Sequence, residues 1–304
     1  MECCRQDDTG DWGGIAIDWL FASPAIRVAR WDCHVAGKAL SPERQQPLHV
    51  VAFAHAGSYV LHDRRGRVLV DATRVTFVDA CAPFQTSHPY GCGDRGSSLM
   101  VRGDLLAEAL APHDPGVQDR PAALFRLAHA PVSPRTALAQ RLLVRRLESP
   151  VACDPLAVEE TALGVLETVL RESFGGGSGR VPASRETPGD RRQRVEAARG
   201  FLLNQFRSVR RLAEVAAAAG VSPFHLCRIF KAETGTSVHA HLNRLRLRAA
   251  LGELLAGVED LTDLALDLGY SSHSHFTAAF HREYGLPPSA VRTRQVTRPA
   301  RRGC

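Results

Sequence analysis

Residues 212–222 read LAEVAAAAGVS, and residues 261–271 read LTDLALDLGYS. At an offset of 49 residues the apolar positions of the two stretches coincide, and each stretch reaches a glycine near its end. After one extra residue in the second turn the match continues at an offset of 50, where Leu226 pairs with Phe276. The chain therefore carries one unit twice, a short helix followed by a glycine turn and a second helix.

This unit has the properties that a helix-turn-helix requires. The turn needs a glycine that can adopt positive φ, and the second helix must be apolar on one side only. In the first copy Ser222 is suited to cap the second helix and Pro223 to begin it, while Leu226, Ile229 and Phe230 form the buried side. The opposite side is left free to lie in the major groove of a duplex.

The free sides of the two second helices carry the candidate DNA-contacting residues. In the first unit these are Ser222, Phe224, His225, Cys227, Arg228 and Lys231. In the second unit they are Ser272, His273, Ser274, Thr277 and His281. Arg228 and Lys231 either contact DNA or simply lie on a solvated helix face. Phe224 either contacts a thymine methyl group or covers part of the domain surface. The second side has no arginine to match Arg228, so we expect it to read DNA more weakly.

Between the copies, residues 237–256 have helical periodicity. A helix of that length spans about 30 Å, close to the roughly 34 Å of one turn of B-DNA. Such a rod can hold two recognition helices in successive major grooves. We expect Arg244, Arg246 and Arg248 to contact phosphates, or at least one of them to pair internally with an acid such as Asp267.

The segment 195–294 resembles the DNA-binding domain of AraC-type (AraC/XylS) transcriptional regulators. The resemblance rests on AAAAGVSPFHLCRIFKAETGTSVHAHLNRLRLRAAL and LTDLALDLGYSSHSHFTAAFHREYGLPPSAVR. It implies seven helices with two helix-turn-helix units, double-stranded DNA and RNA polymerase as partners, and activation of transcription. It places base reading at Phe224, Cys227, Arg228, Ser274 and Thr277. Ala278 departs from the Arg or Lys common in the family, and His241 and Val291 replace residues that are commonly aromatic.

Composition and charge agree with a two-domain protein that binds an anionic partner through its C-terminal part. The chain has 304 residues, of which 44% are hydrophobic and 23% charged. Residues 191–304 hold 18 Arg and Lys against 9 Asp and Glu, whereas residues 1–190 hold 20 against 23. Positive charge alone does not separate nucleic acid from an acidic membrane surface. The sequence shows neither a membrane-spanning run nor a signal peptide, which predicts a cytoplasmic location without membrane binding.

The N-terminal half predicts an antiparallel barrel or sandwich with a helical appendage. Residues 48–101 form short β-type runs, and helical periodicity follows at 104–110, 134–147 and 155–174. The last helix has one apolar side, which is formed by Leu156, Leu163, Leu166 and Leu170. This side faces either the barrel or a second subunit. This half resembles, less specifically, the cupin-like barrel that many such regulators use for sensing and dimerisation, so a homodimer is expected.

The predicted fold class is thus α+β with two domains. Residues 1–174 form the cupin-like domain, 175–191 a flexible linker, 192–296 the all-α double helix-turn-helix domain, and 297–304 a basic tail. The eight cysteines include no C-x-x-C pair, so we expect reduced thiols. Cys3 and Cys4 are either a metal or redox sensor or ordinary residues of a terminus.

His55, Tyr59 and His88 are candidates for an effector pocket, with satisfied barrel residues as the alternative. The histidines of this half lack the spacing by which cupin enzymes bind a metal, so no metal, cofactor or catalytic residue is predicted. Two other functions stay open. One is a cupin-type metalloenzyme joined to a DNA-binding domain, and the other is a DNA-binding protein whose barrel only dimerises.

Overall fold

The structure is a computed structural model that describes residues 14–149, 154–175, 188–209 and 211–293. Cys3, Cys4, most of the predicted linker and the basic tail lie outside the described residues. Within these ranges no helix is both long and apolar enough to cross a bilayer.

The N-terminal region contains the strands and the first three helices. The strands are β1 (Ile15–Ala22), β2 (Ile26–Gly37), β3 (His49–Gly57), β4 (Tyr59–Asp63), β5 (Gly66–Val70), β6 (Arg74–Val78), β7 (Gln85–Val101) and β8 (His129–Pro131). The helices are α1 (Gly103–Leu110), α2 (Pro134–Glu148) and α3 (Pro155–Phe174).

The strands form a nearly closed antiparallel barrel, which confirms the predicted fold class of this region. Strand β7 is 17 residues long and pairs with β2, β3 and β4, so it joins both parts of the barrel. The prediction for residues 48–101 missed β1 and β2, which pair with each other and add β2 to the edge of β7. The alternation of these two strands is interrupted by bulges, which weakens their sequence pattern.

Strand β3 is apolar on both of its sides because both sides are covered. Val51 and Phe53 belong to a core shared with the helices, whereas Val50 and Ala52 face the other side of the sheet and line a cavity. Both sets of side chains are buried. The barrel therefore has an outer core beneath the helices and an inner cavity.

Helix α3 packs on the barrel. Of the two expected partners for its apolar side, the barrel or a second subunit, the structure shows the barrel. Its buried residues, among them Leu166 and Leu170, share one core with Phe77 of β6. The prediction is wrong for Leu156, which is 73% exposed. Leu156 lies in the first turn after the N-cap Asp154, beyond the part of the helix that reaches the core.

The C-terminal region is helical, as predicted. Its helices are α4 (Pro188–Gln205), α5 (Leu212–Ala218), α6 (Pro223–Thr234), α7 (Val238–Ala256), α8 (Leu261–Asp267), α9 (His273–Tyr284) and α10 (Pro288–Thr293). Helix α7 joins two cores. Val238, Leu242 and Leu245 pack with the first unit, and the buried leucines from Leu247 onward pack with the second.

A buried ion pair connects the two regions. The guanidinium of Arg199 on α4 donates to the carboxylate of Asp71, which follows β5, and Nε2 of His241 on α7 lies 3.8 Å from the same carboxylate. All three side chains are buried. Burial alone would raise the pKa of Asp71, but Arg199, helped by His241 and Thr73, outweighs burial and holds this pKa well below its usual range. Burial lowers the pKa of His241 to about 4, so its ring is neutral at pH 7.

Replacing Arg199 by alanine removes the main cation from a buried carboxylate. Because an unpaired buried charge is costly, we expect Arg199→Ala to lower the free energy of unfolding by about 3–5 kcal/mol. The measurement is the urea midpoint of the full chain at pH 7. Since the pKa of Asp71 is depressed in the fold, the pair stabilises above about pH 4. That contribution disappears as the pH falls further, so the difference from the unaltered chain should shrink in acid.

The control is Arg207→Ala, which breaks the pair between Arg207 and Glu253, whose side chains are 46% and 37% exposed. We expect a change of at most about 1 kcal/mol for this exposed pair. Equal losses in the two variants would show that Arg199 does not act through the buried carboxylate.

Candidate nucleic-acid interface and barrel cavity

Both helix-turn-helix units turn in the same way. In each, the backbone N–H after the turn glycine donates to the carbonyl five residues earlier, at 3.1 Å in the first unit and 2.9 Å in the second. The glycines are left-handed, with φ of +64° at Gly220 and +83° at Gly269. The similarity of the two copies in sequence is therefore also a similarity in backbone conformation.

The second helix of each unit begins and ends with matching caps. The side chains of Ser222 and Ser272 each accept the backbone N–H three residues on, at 3.2 Å in both units. Left-handed glycines end the two helices, Gly235 with φ +72° and Gly285 with φ +76°. The hydroxyls of Ser222 and Ser272 are thus used in capping, and any contact with DNA would share them.

On α6 the structure leaves most of the candidate residues accessible. Ser222, Cys227, Arg228 and Lys231 are exposed, and His225 is half-buried. Nη2 of Arg228 lies 3.1 Å from Nδ1 of His225, so the imidazole helps to orient the guanidinium. The side chain of Phe224 lies outside what the structure describes.

On α9 the accessible side is polar but has few cations. Ser272, His273, Ser274 and His281 are exposed, and Thr277 is half-buried with Oγ1 3.4 Å from Nε2 of His273. Sequence reasoning missed Arg282, which is exposed in the last turn of α9. It lies four residues after the exposed Ala278, hence on the same side of the helix, and that spacing is the signal by which it can be found.

The three arginines of α7 have structural partners. Arg246 donates to the carbonyls of Phe206, Val209 and Gly269 at 2.7, 2.9 and 3.1 Å, which ties the two units together. Arg248 is buried and donates to a carbonyl of the N-terminal region at 3.2 Å. Nε of Arg244 lies 3.7 Å from Glu283 Oε1, so the acid expected beside these arginines is Glu283 and not Asp267.

Because Arg246 and Arg248 are committed in this way, they are not available for phosphates. The expectation of phosphate contacts is therefore wrong for these two residues. Arg244 is 37% exposed and keeps that prediction.

The barrel holds a cavity that opens to solvent. Its walls are mostly apolar, with polar groups at Arg44, Gln46, Thr76, His88 and Asp94. Tyr59 and His88 line this cavity, as the candidate pocket requires.

His55 is not among the residues that line the cavity. Nε2 of His55 instead lies 2.9 Å from Gln140 Oε1 and 3.0 Å from Ser97 Oγ, under α2. His55 follows Val51 and Phe53 at intervals of two residues on β3, so it lies on the side of the strand that faces the helices and not the cavity.

The turn glycines can be tested by substitution. Gly220→Ala puts a Cβ into open space, so its only cost is the left-handed backbone, about 1–2 kcal/mol. We expect a lower melting temperature for this variant. The control is Gly164→Ala in α3, where the space is also open and φ is not positive, and we expect stabilisation by about 0.4–1 kcal/mol. A stabilised Gly220→Ala variant would contradict the turn geometry.

Comparison with known proteins gives a match to the C-terminal region. Residues 215–294 match the helix-turn-helix domain family. The HTH-type transcriptional regulator MtrA of Neisseria gonorrhoeae is 35% identical over 79 residues, 26% of this chain and 26% of MtrA. The HTH-type transcriptional activator RhaS of Shigella boydii is 39% identical over 67 residues, 22% of this chain and 24% of RhaS. The matched segment thus spans about a quarter of each of these relatives.

A structure of an apo ToxT variant from Vibrio cholerae covers 89% of this chain and 98% of its own, with a TM-score of 0.39 and 10% identity. The match over 215–294 agrees with the repeated turns and caps of the two units. Residues 215–294 of this chain therefore form a helix-turn-helix domain that contains two units.

Proposed function

We propose that this chain is a sequence-specific DNA-binding transcription regulator, an activator that responds to a small molecule. The observation that carries the proposal is the repeated unit whose two second helices, α6 and α9, both leave a polar side accessible. Two such helices held by one connecting helix suit two successive major grooves. Relatives named as regulators and an activator support the same function.

The two units differ in what they offer to DNA. The first presents Arg228 and Lys231 on one side of α6. The second presents hydroxyls and imidazoles, with Arg282 at the end of α9. Arginine is the side chain best suited to donate hydrogen bonds to both O6 and N7 of a guanine. We therefore assign base reading mainly to the first unit and phosphate contacts mainly to the second.

RNA polymerase is the proposed second partner, and a homodimer is the proposed assembly. The polymerase follows from the family resemblance of the C-terminal region, and the homodimer follows from the resemblance of the N-terminal half to a dimerisation barrel. The barrel and the double helix-turn-helix region act as separate domains in this proposal. A cytoplasmic location follows from the proposed binding of a bacterial chromosome.

Arg228→Ala tests base reading. With a binding site selected from random duplexes, we expect the variant to lose discrimination at one base pair by about 1–3 kcal/mol. Binding to duplexes that already carry another base there should change little. The measurement is the Kd of the full chain for the selected duplex and for duplexes substituted one position at a time.

The matched control is Lys231→Ala, on the same side of the same helix. A phosphate-contacting lysine should weaken binding to all of the duplexes alike and reduce the slope of log K against log salt by about 1. A uniform loss in Arg228→Ala would remove Arg228 from base reading. Absence of saturable duplex binding by the unaltered chain would overturn the proposed function itself.

The cavity defines the class of the proposed effector. Its apolar walls suit a largely apolar molecule, and the polar groups around Arg44 and His88 suit one polar or anionic group on that molecule. A barrel that only dimerises needs no such cavity. We therefore prefer a sensing barrel to a purely dimerising one.

Filling the cavity tests this assignment. Ile17 on β1 lines the cavity, whereas its neighbour Ala16 is exposed on the other side of the strand. We expect Ile17→Trp to reduce binding of anilinonaphthalene sulfonate, an apolar dye with one anionic group, and Ala16→Trp to leave it unchanged. The measurement is a fluorescence titration of the full chain. Equal binding in both variants would place the dye outside the cavity.

A further inference from the structure

Three side chains with metal-ligating atoms meet in the barrel. Cys33 Sγ, His88 Nε2 and a carboxylate oxygen of Asp94 all lie within 4.8 Å of one another, and the three residues are buried. Cys33 on β2 is directly opposite Asp94 on β7 in the strand pairing. His88 lies earlier on β7 and is opposite Gly37 of β2, beyond a second register shift in this pairing.

The backbone around the three residues is shaped to bring them together. The pairing of β2 with β7 shifts register just after Cys33. Gly93 has φ +77°, and a Cβ on it would collide with the carbonyl oxygen of Cys33. Bulges of this kind redirect side chains and are common next to functional sites.

The distances are close to those of a tetrahedral site. With bonds of about 2.3 Å to sulfur and 2.0 Å to nitrogen, a tetrahedral zinc ion holds these two ligands about 3.5 Å apart. Cys33 Sγ and His88 Nε2 are 3.5 Å apart. His88 Nε2 and Asp94 Oδ1, now hydrogen-bonded at 2.6 Å, would have to separate to about 3.3 Å. A small side-chain movement is therefore enough.

The surroundings also suit a ligating carboxylate. Trp31 Nε1 donates to Oδ2 of Asp94 at 2.5 Å, which fixes the carboxylate and leaves Oδ1 for the third ligand position. The guanidinium of Arg44 interacts electrostatically with both Cys33 and Asp94. Arg44 thus places a positive charge beside the carboxylate.

We propose that Cys33, His88 and Asp94 form a binding site for a divalent ion of borderline softness, Zn²⁺ being the best match. One sulfur, one nitrogen and one oxygen ligand select such ions over Mg²⁺ or Ca²⁺. His88 and Asp94 also line the cavity, so an ion reaches the site through it and has room there for a fourth ligand. The site is distinct from DNA binding and is tested without DNA.

The test is titration of the reduced full chain with Co²⁺, a spectroscopic substitute for Zn²⁺, followed by competition with Zn²⁺. We expect one equivalent to bind with a sulfur-to-cobalt charge-transfer band, and Zn²⁺ to displace it. Cys33→Ser should abolish the band, and His88→Gln and Asp94→Asn should each weaken binding at least about 10-fold. Melting curves of each variant show whether it is folded.

The matched control is the double variant Cys3→Ser/Cys4→Ser, which removes two adjacent cysteines that could also bind a metal. We expect it to bind as the unaltered chain does. If the control loses the charge-transfer band and Cys33→Ser keeps it, the proposal is overturned. The proposal is also overturned if the unaltered chain binds no Co²⁺.

If Cys33→Ser does not fold, the unaltered chain provides a second test. Zn²⁺ should slow alkylation of Cys33, located by mass spectrometry of its peptide, at least about 10-fold, while exposed Cys227 stays reactive. Equal alkylation of Cys33 with and without Zn²⁺ overturns the proposal.

Discussion

Helix α7 is packed on nearly all of its sides, and the arrangement of the rest of the chain depends on that packing. One part of it completes the core of the first helix-turn-helix unit, another part completes the core of the second, and a third side meets the barrel at β3. A helix buried all round has little amphipathic character. Helices α6 and α9 therefore take their positions from one buried helix, whose Arg246 donates to the connection between α4 and α5 and to the turn of the second unit.

The contact between the barrel and the helical region combines apolar packing with buried charge. Leu138 of α2 packs into the core of the second unit, and Asp71 holds Arg199 close to His241. A buried pair of this kind depends on both partners being in place. Asp71 begins the turn that leads into β6, and Thr76 on β6 lines the cavity. The structure thus joins the proposed sensing cavity to the helical region by a short stretch of chain.

Helices were predicted well because the residues that begin and end them are close in the sequence. Ser222, Ser272 and the left-handed glycines act within a few residues, so the sequence shows them directly. The strands were predicted less well, since pairing partners are distant and bulges change which side a residue faces. Strands β1 and β2 show this difference, since bulges interrupt their alternation and neither strand was predicted.

The sequence by itself determined the repeat, the turns, the caps and the polar sides of α6 and α9, because these depend on residues one to four positions apart. Tertiary structure decided the tasks of Arg246 and Arg248, whose partners are backbone carbonyls far away in the chain. It also brought Cys33, His88 and Asp94 together. The spacing of these residues in the sequence does not predict the cluster, because the irregular pairing of β2 with β7 creates it and strand pairing is a long-range property.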